Sequence, residues 1–369
     1  MRLVFITISL LVSVGYCFSQ STVVDSITFR GTSRSFRLYI PSTYQSLASL
    51  PLVFNFHGYG SNAMQQEIYT QFSPVAEQAG AFVCYPDGIG NAWNIAGSNS
   101  YDIAFVDTLI SIIHDSYSIN LNRIYATGLS NGGFLSNLLG CELSHRIAAI
   151  APVAGTNIDV VQQNCQSSRM MPILYLHGDA DAIVEYNGLA GYSSAEALLN
   201  LWSLRAGCSG MTDTVMIQDI SLTDLSTVEK ITWLDCDSNV QVIHYKILGG
   251  GHTWPGAPIA IGVTNQDTHA SQVIMDFFNQ FSLNPLVDEV KEKLNVLLSP
   301  NPFSDRLEII LPSPARSSIS LYNYAGAMIY HNEFYSEKLT LRPTLPQGLY
   351  LISIIQGGKR FSSRIIKID

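Results

Sequence analysis

The 369-residue sequence has few charged residues, and its acidic residues outnumber its basic ones. Asp, Glu, Lys and Arg make up only 13% of the chain, and the formal net charge is −9 at pH 7. Neither nucleic acid nor an anionic membrane is therefore expected as a partner. Internal repeats and low-complexity tracts are also absent, and aromatic residues reach 10%, so the composition is that of a folded chain.

Long hydrophobic runs are missing beyond the N-terminus. Met1-Arg2 precedes an apolar stretch over 3–14, and the small residues Cys17 and Ser19 suit a cleavage site after Ser19. This pattern predicts a secretory signal peptide over 1–19. The apolar stretch is short for a transmembrane anchor, and Tyr16 fits poorly with lipid modification of Cys17. We expect an exported mature chain with no stable membrane insertion.

Cysteine is sparse, with six residues in the chain, and none shows the paired short spacing of a zinc site. Cleavage removes Cys17, and an oxidising compartment favours disulfides among the remainder. Cys84 lies in the apolar run 81–85 and is expected to be a buried free thiol. The other four allow three connectivities. The sequence-local choice pairs Cys141 with Cys165 and Cys208 with Cys236.

Apolar residues reach 47% and supply material for a large core. From about Val23 to Ser282, short β-rich runs alternate with amphipathic stretches. Several central runs are apolar at consecutive positions, as expected for strands covered by helices on both sheet faces. The pattern predicts an α/β sheet flanked by helices. The strand-like runs are 35–40, 52–56, 81–85, 123–127, 147–152, 173–176 and 240–248, and the helical ones are 64–78, 102–117, 133–143, 194–204 and 270–281.

The predicted secondary-structure pattern changes after Phe281. Asn284-Pro285 breaks the helical pattern, 287–293 is a charged connector, and short strands with turns follow from about Leu297. Such spacing predicts a small all-β, sandwich-like C-terminal domain. We expect four segments: a signal peptide (1–19), an α/β domain (20–283), a linker (284–296) and a β-rich domain (297–369).

The strongest local motif is Gly128-Leu129-Ser130-Asn131-Gly132. It comes directly after the run 123–127 and directly before a helical stretch. A serine nucleophile on a sharp strand-to-helix turn needs small neighbours of this kind. An ordinary glycine-rich turn is the alternative, but the flanking strand and helix favour Ser130 as a nucleophile.

A serine hydroxyl needs a base, and His252 is the best of the eight histidines. It lies in a glycine-rich loop directly after the run 240–248, where flexible backbone lets the imidazole reach across the sheet edge. An orienting acid should fall between serine and histidine in the chain. Asp179 and Asp181 follow the run 173–176, and we choose Asp181 with Asp179 as the alternative. At least one of the two carboxylates must be structural, for example as a turn or helix cap.

Backbone N–H groups at two loops can form an oxyanion hole. The N–H of Asn131 is one donor, and the N–H of Tyr59, in the loop after an early strand, is the other. His57 is expected to be a structural hydrogen-bonding residue because it precedes the nucleophile in the chain. A single Trp is usually a packing residue, but Trp93 and Trp254 both lie on loops near the same sheet edge, which favours substrate binding.

Several motifs together resemble those of secreted polyhydroxybutyrate-depolymerase-type esterases and their relatives, the feruloyl and acetylxylan esterases. The resemblance covers about Val23 to Phe281 in the right order, and it implies an α/β-hydrolase fold with the triad Ser130, Asp181 and His252. In that family the acid ends the His-Gly-x-x-Asp piece, which supports Asp181 over Asp179. The matching motifs are His57–Gly60, Tyr85–Gly88, Trp93-Asn94, Asp102–Phe105, Gly128–Gly133, His177–Asp181 and Gly250–Gly256.

Two departures leave substrate preference open. Tyr59 stands where the family often has Cys, and Val184-Glu185-Tyr186 stands where it often has Val-Pro-Tyr. The tail from Leu298, with its Ser-Pro-Asn-Pro-Phe start and its end at Lys367, resembles the C-terminal sorting domain of type IX secretion. That resemblance implies export by the type IX machinery and removal of the tail. A carbohydrate-binding sandwich is the alternative for this segment.

The sequence therefore predicts a secreted serine esterase that needs no metal or organic cofactor. The expected substrates are acyl or feruloyl esters on polysaccharides, or short hydroxyalkanoate polyesters. The alternatives are a serine peptidase of the same fold and a non-catalytic surface protein that binds glycans on a hydrolase scaffold.

Overall fold

The computed structural model describes residues 21–44, 49–98, 100–283, 296–322, 328–356 and 359–368. The predicted signal peptide and, apart from Val296, the predicted linker lie outside these residues and stay predictions. Contacts divide the chain into two units, Met1–Asn284 and Pro285–Asp369.

The first unit is built on a ten-stranded sheet in the order β1-β2-β4-β3-β5-β6-β7-β10-β9-β8. The six strands from β4 to β10 in that order run parallel, and the outer strands at both edges are antiparallel. The strands are β1 (Ser21–Phe29), β2 (Thr32–Ile40), β3 (Leu50–Phe56), β4 (Phe82–Pro86), β5 (Ile119–Leu129), β6 (Ala149–Val153), β7 (Ile173–Gly178), β8 (Thr212–Met216), β9 (Thr227–Trp233) and β10 (Val242–Leu248).

Helices cover both faces of this sheet. Helices α3, α4 and α6 bury apolar side chains on one face, and helices α1, α2 and α7 do so on the other. Successive residues of a strand point to opposite faces, so Phe54 packs in the first layer and Val53 in the second. The helices are α1 (Ala63–Thr70), α2 (Phe72–Ala79), α3 (Tyr101–Ser116), α4 (Asn131–Glu142), α5 (Asp159–Asn164), α6 (Ala195–Arg205) and α7 (Ala270–Phe278).

The helical stretch predicted over 64–78 is two helices rather than one. Gln71 has φ 49° and ψ 36°, so the chain leaves the right-handed helical region there and re-enters it at Phe72. The apolar pattern continues across the break because both helices pack on the same face of the sheet. Periodicity alone therefore did not reveal it.

The second unit is all-β, as the sequence predicted. A three-stranded sheet (β11-β12-β15) and a four-stranded sheet (β14-β13-β16-β17) enclose a core that includes Phe303, Ile319 and Ile354. Its strands are β11 (Leu297–Ser299), β12 (Leu307–Ile310), β13 (Arg316–Tyr322), β14 (Met328–Tyr335), β15 (Lys338–Leu341), β16 (Gly348–Gln356) and β17 (Lys359–Lys367).

The cysteines form the predicted sequence-local pairs. Disulfides join Cys141 to Cys165 and Cys208 to Cys236, and Cys84 is a buried free thiol. Burial raises the pKa of the Cys84 thiol well above its ordinary value, which keeps it protonated and unreactive. Within the described ranges, none of the helices is long and apolar enough to cross a membrane.

Candidate active site

Ser130 lies on the turn between β5 and α4, in a backbone conformation that residues other than glycine rarely adopt. Its φ is 56° and its ψ is −119°. Such a conformation costs about 1–3 kcal/mol and persists only where the surrounding structure fixes it. Two backbone hydrogen bonds do so: Ser130 N–H donates to Val153 O at 2.9 Å, and Phe134 N–H donates to Ser130 O at 2.9 Å.

The glycines that flank Ser130 allow this turn to pack against β3. A Cβ at Gly132 would lie 2.2 Å from the carbonyl oxygen of Phe56, and one at Gly128 would lie 2.6 Å from the same oxygen. Neither position can hold a larger residue without backbone movement. The sequence motif is thus explained by the close approach of two strands and a helix start.

Asp181 and His252 form a hydrogen-bonded pair beyond the carboxyl ends of the parallel strands, the end of the sheet at which Ser130 also lies. Asp181 follows β7 and His252 follows β10, and these strands are parallel neighbours. His252 Nδ1 lies 2.7 Å from Asp181 Oδ2. The Asp181 side chain is fully buried, whereas the imidazole of His252 is 17% exposed.

The carboxylate of Asp181 accepts four hydrogen bonds. Its Oδ1 receives the backbone N–H groups of Ile183 at 2.8 Å and Val184 at 2.9 Å, and its Oδ2 receives His177 as well as His252. Burial by itself would raise the pKa of this carboxyl, but the hydrogen bonds from His177 and His252 and the nearby charge hold it well below its usual range. The group is therefore ionised at neutral pH.

Asp179, the alternative acid, has a different set of partners. Its Oδ1 accepts the backbone N–H of Gly249 at 2.7 Å, and its Oδ2 lies 3.8 Å from Lys246 Nζ. No hydrogen bond joins Asp179 to His252 within the described part of the chain. Asp179 anchors the start of the loop that carries His252, and the geometry favours Asp181 as the orienting acid.

Ser130 reaches the same edge from the C-terminal end of β5, which β6 and β7 separate from β10. Among the described residues the imidazole of His252 is hydrogen-bonded to Asp181 and not to Ser130. Hydrogen bonds of this kind are often long without substrate and shorten when it binds. His252 Nε2 is the ring nitrogen on the side away from Asp181.

Two backbone N–H groups beside Ser130 are without hydrogen-bond partners in the described part of the chain, those of Tyr59 and Asn131. The loop with Tyr59 approaches the turn closely, since a Cβ at Gly58 would lie 3.5 Å from Ser130 Cβ. Asn131 is the first residue of α4, where an N–H has no partner within the helix. Both groups are therefore available to a developing negative charge.

His57 forms hydrogen bonds that hold the loop with Tyr59 in place, as expected of a structural histidine. Its Nε2 accepts the N–H of Gly88 at 3.0 Å, and its Nδ1 lies 2.8 Å from Gly58 O. Burial lowers the pKa of His57, so the neutral ring that this arrangement requires is the stable form.

Trp93 and Trp254 do not line an open pocket, which corrects the expectation from the sequence. Trp254 is completely buried and donates its indole N–H to Ser271 Oγ at 3.1 Å. Trp93 is 4% exposed and donates its indole N–H to the carbonyl oxygen of His57 at 2.9 Å. Both indoles pack inside the protein and hydrogen-bond to residues of the surrounding loops and helices. The prediction was wrong because position on a loop does not determine which way a side chain points.

The side chain of Asn131 has a contact that sequence reasoning missed. Its Oδ1 accepts the N–H of Trp93 at 2.6 Å, and its Nδ2 donates to Trp93 O at 3.3 Å. This pair of bonds ties the Ser130 turn to the Trp93 loop. His177 is also hydrogen-bonded to Asp181, in addition to His252. The sequence did not predict this contact, although His177 is the first residue of the His-Gly-x-x-Asp motif.

A mostly parallel sheet covered on both faces, with a strained serine turn after β5 and an Asp–His pair after β7 and β10, defines an α/β-hydrolase fold. Comparisons with known proteins agree. An acetyl xylan esterase from Aspergillus awamori superposes with a TM-score of 0.50 at 15% identity, covering 70% of this chain and 99% of that one. At this identity the likeness concerns the fold alone.

Curated relatives confirm the resemblance to feruloyl and acetylxylan esterases. A bifunctional acetylxylan esterase/xylanase of Neocallimastix patriciarum is 27% identical over 265 residues, 71% of this chain and 36% of the relative. Feruloyl esterase B of Piromyces equi is 31% identical over 232 residues, 58% of this chain and 41% of the relative. The chain thus spans less than half the length of these two relatives.

The tail is identified separately. Residues 298–368 match the family described as secretion system C-terminal sorting domain. This finding confirms the sorting domain expected from the sequence over the carbohydrate-binding alternative. The protein is therefore secreted or held at the cell surface.

Proposed function

We propose that this protein is a secreted serine esterase with Ser130 as nucleophile, His252 as general base and Asp181 as the acid that orients it. One observation carries the proposal: the strained Ser130 turn and the Asp181–His252 pair all follow the carboxyl ends of parallel strands in one sheet. This is the arrangement that acyl transfer requires. The names of the relatives supply the choice of esters as substrates.

In the first half-reaction, Ser130 Oγ bonds to the ester carbonyl carbon while its proton passes to His252 Nε2. The N–H groups of Tyr59 and Asn131 donate to the resulting oxyanion. The tetrahedral intermediate then breaks its bond to the alcohol oxygen, which takes the proton from His252. In the second half-reaction water repeats the attack on the acyl-serine, and the acid leaves as Ser130 recovers its proton.

Asp181 contributes by holding one tautomer of His252. Its ionised carboxylate accepts the Nδ1–H, which leaves Nε2 unprotonated to receive the proton from serine. The positive charge that forms on the imidazole is stabilised by the same carboxylate. This step depends on Asp181 staying ionised, as its four hydrogen bonds ensure.

The proposed substrates are carboxylic esters attached to plant polysaccharides, acetyl or feruloyl, with short hydroxyalkanoate polyesters as a second class. The exposed Tyr59 side chain, 81% accessible, stands at the position where the family often has Cys. It is therefore the first candidate for a contact with the alcohol portion. The type IX secretion machinery is the proposed partner of the tail.

Turnover of methyl ferulate, acetylated xylan and a short hydroxybutyrate oligomer by the purified protein tests the proposal. Ser130→Ala and His252→Ala should each lower kcat by about 10⁴-fold or more, and the double variant little further, because the residues act as a unit. Ser111→Ala, an exposed serine on α3, is the matched control and should keep full turnover. Absence of turnover on all esters by the wild-type protein would favour the peptidase or glycan-binding alternatives.

A further inference from the structure

His177 makes a contact with Asp181 that the proposed mechanism does not use. Its Nε2 lies 3.1 Å from Asp181 Oδ2, the same oxygen that faces His252. Both side chains are completely buried. A buried polar side chain aimed at an ionised carboxylate strongly affects its orientation, because hydrogen bonds to a charged group are stronger inside a protein than in water.

The surrounding hydrogen bonds determine which nitrogen of His177 carries the proton. Nε2 lies 2.8 Å from the carbonyl oxygen of Val184, and a carbonyl can only accept. Nε2 is therefore the protonated nitrogen, and its N–H points between Val184 O and Asp181 Oδ2. Nδ1 is then free to accept the hydroxyl proton of Tyr175, with which it is hydrogen-bonded.

The residues behind His177 hold it in place. Tyr175 and His177 are two residues apart on β7 and therefore lie on the same face of the strand, and Tyr175 pairs with His244 on β10. His244 Nδ1 lies 3.1 Å from Tyr175 O, and its Nε2 accepts the hydroxyl of Tyr186 at 2.9 Å. These bonds connect two neighbouring strands with the loop after β7. The His177 ring itself is held by Tyr175 at Nδ1 and by Asp181 and Val184 O at Nε2.

We propose that His177 is a positioning residue for the esterase reaction: with Tyr175 behind it, it holds Asp181 so that Oδ2 stays directed at His252. The backbone N–H groups of Ile183 and Val184 fix Oδ1. The His177 N–H is the second side-chain contact on Oδ2, beside that of His252. The inference rests on the proposed function, since it assigns His177 a role only through Asp181.

Substitutions at position 177 separate this role from simple packing. His177→Leu fills the space without a donor and should lower kcat about tenfold or more with KM little changed, as loss of a hydrogen bond to a charged group implies. His177→Gln, whose amide can donate near the position of Nε2, should restore most of the loss. Equal kcat for folded His177→Leu and wild type would overturn the proposal.

A double-mutant cycle gives the readout that a packing role would not change. In an Asp181→Asn background, His177→Leu should lower the residual kcat by less than about twofold, because the group it positions is already gone. Full additivity of the two losses would contradict the proposal. Near-UV circular dichroism of each purified variant gives the fraction of folded protein by which kcat is corrected.

Selective ¹⁵N-histidine NMR tests the same arrangement without any turnover. The wild-type spectrum should show His177 protonated at Nε2 and unprotonated at Nδ1, and Tyr175→Phe should weaken that tautomer preference and lower kcat about threefold or more. The Tyr175→Phe result decides the matter if His177→Leu does not fold. The opposite tautomer in the wild-type protein would refute the positioning role. Absence of esterase activity with the expected tautomer would refute the proposed function instead.

Discussion

At the residue scale, Asp179 and Asp181 are only two positions apart, but their different hydrogen-bond partners predict different roles. Asp181 is buried and faces His252, whereas Asp179 is half-exposed and holds the N–H of Gly249. Asp181→Asn should lower kcat by about 10⁴-fold, because the amide favours the wrong tautomer of His252. Asp179→Asn should leave kcat within about tenfold of wild type and act mainly on stability, by about 1 kcal/mol or less, because its amide oxygen can still accept the N–H of Gly249 and only a partly exposed ion pair with Lys246 is lost.

Steady-state kinetics and urea unfolding of both variants check this assignment. A severe loss of kcat in Asp179→Asn with a mild one in Asp181→Asn would transfer the role to Asp179. From the residues alone, the two acids could not be separated with certainty, because both follow the same strand end. The family motif favoured Asp181, and the geometry explains why.

A second prediction concerns the buried His244. Burial lowers its pKa to about 3, from an ordinary value of 6.5. As the pH falls below 6.5, the unfolded chain takes up a proton at this imidazole while the folded protein does not, so the free energy of unfolding decreases until about pH 3. His244→Gln removes this proton uptake and should flatten the decrease.

Urea unfolding of wild type and His244→Gln at pH 7.5 and pH 4.5 measures the difference. The wild-type protein should lose more stability between the two pH values than the variant does. Identical losses would show that His244 does not stay neutral in the folded protein. The burial that sets this pKa was not evident in the sequence, where His244 stands in an ordinary strand pattern.

At the scale of elements, the Ser130 turn depends on glycines that close packing requires. Gly132→Ala would place a Cβ 2.2 Å from Phe56 O, so it should lower the melting temperature markedly and abolish labelling of Ser130. Gly251→Ala is the matched control, because its Cβ would make only ordinary contacts, the nearest at 3.5 Å from Val263 O. Thermal unfolding of the two variants compares them. Equal melting temperatures would contradict the packing account of the motif.

The central elements were predictable from the sequence and the peripheral ones were not. Consecutive apolar residues reveal β3, β6 and β7 because both of their faces are buried. The antiparallel edge strands β1 and β8 are mostly exposed, so their side chains carry little apolar periodicity. The orientation of Trp93 and Trp254 was not predictable either, since it follows from contacts between loops that are distant in the chain.

At the scale of the molecule, all proposed catalytic residues lie in the first of the two units. A protein truncated after Asn284 should therefore fold and keep its turnover on a small soluble ester, because the first unit has its own two core layers. In the native host, the same truncation should leave the enzyme in the periplasm, since the sorting domain is gone.

Turnover of the purified truncated protein and its distribution between periplasm and medium check this prediction. Loss of activity in a folded truncated protein would make the tail part of the catalytic unit. Unchanged secretion would contradict the sorting role of residues 298–368.

The central claim is that Ser130 is the nucleophile of an esterase, and one measurement tests it most directly. The purified protein is treated with a fluorophosphonate while ester turnover is followed, and the modified residue is located by peptide mass spectrometry. The account predicts a single adduct on Ser130 whose formation parallels the loss of turnover, and much slower labelling in His252→Ala. Full loss of ester turnover with Ser130 unmodified, or retained turnover with Ser130 fully modified, would contradict it.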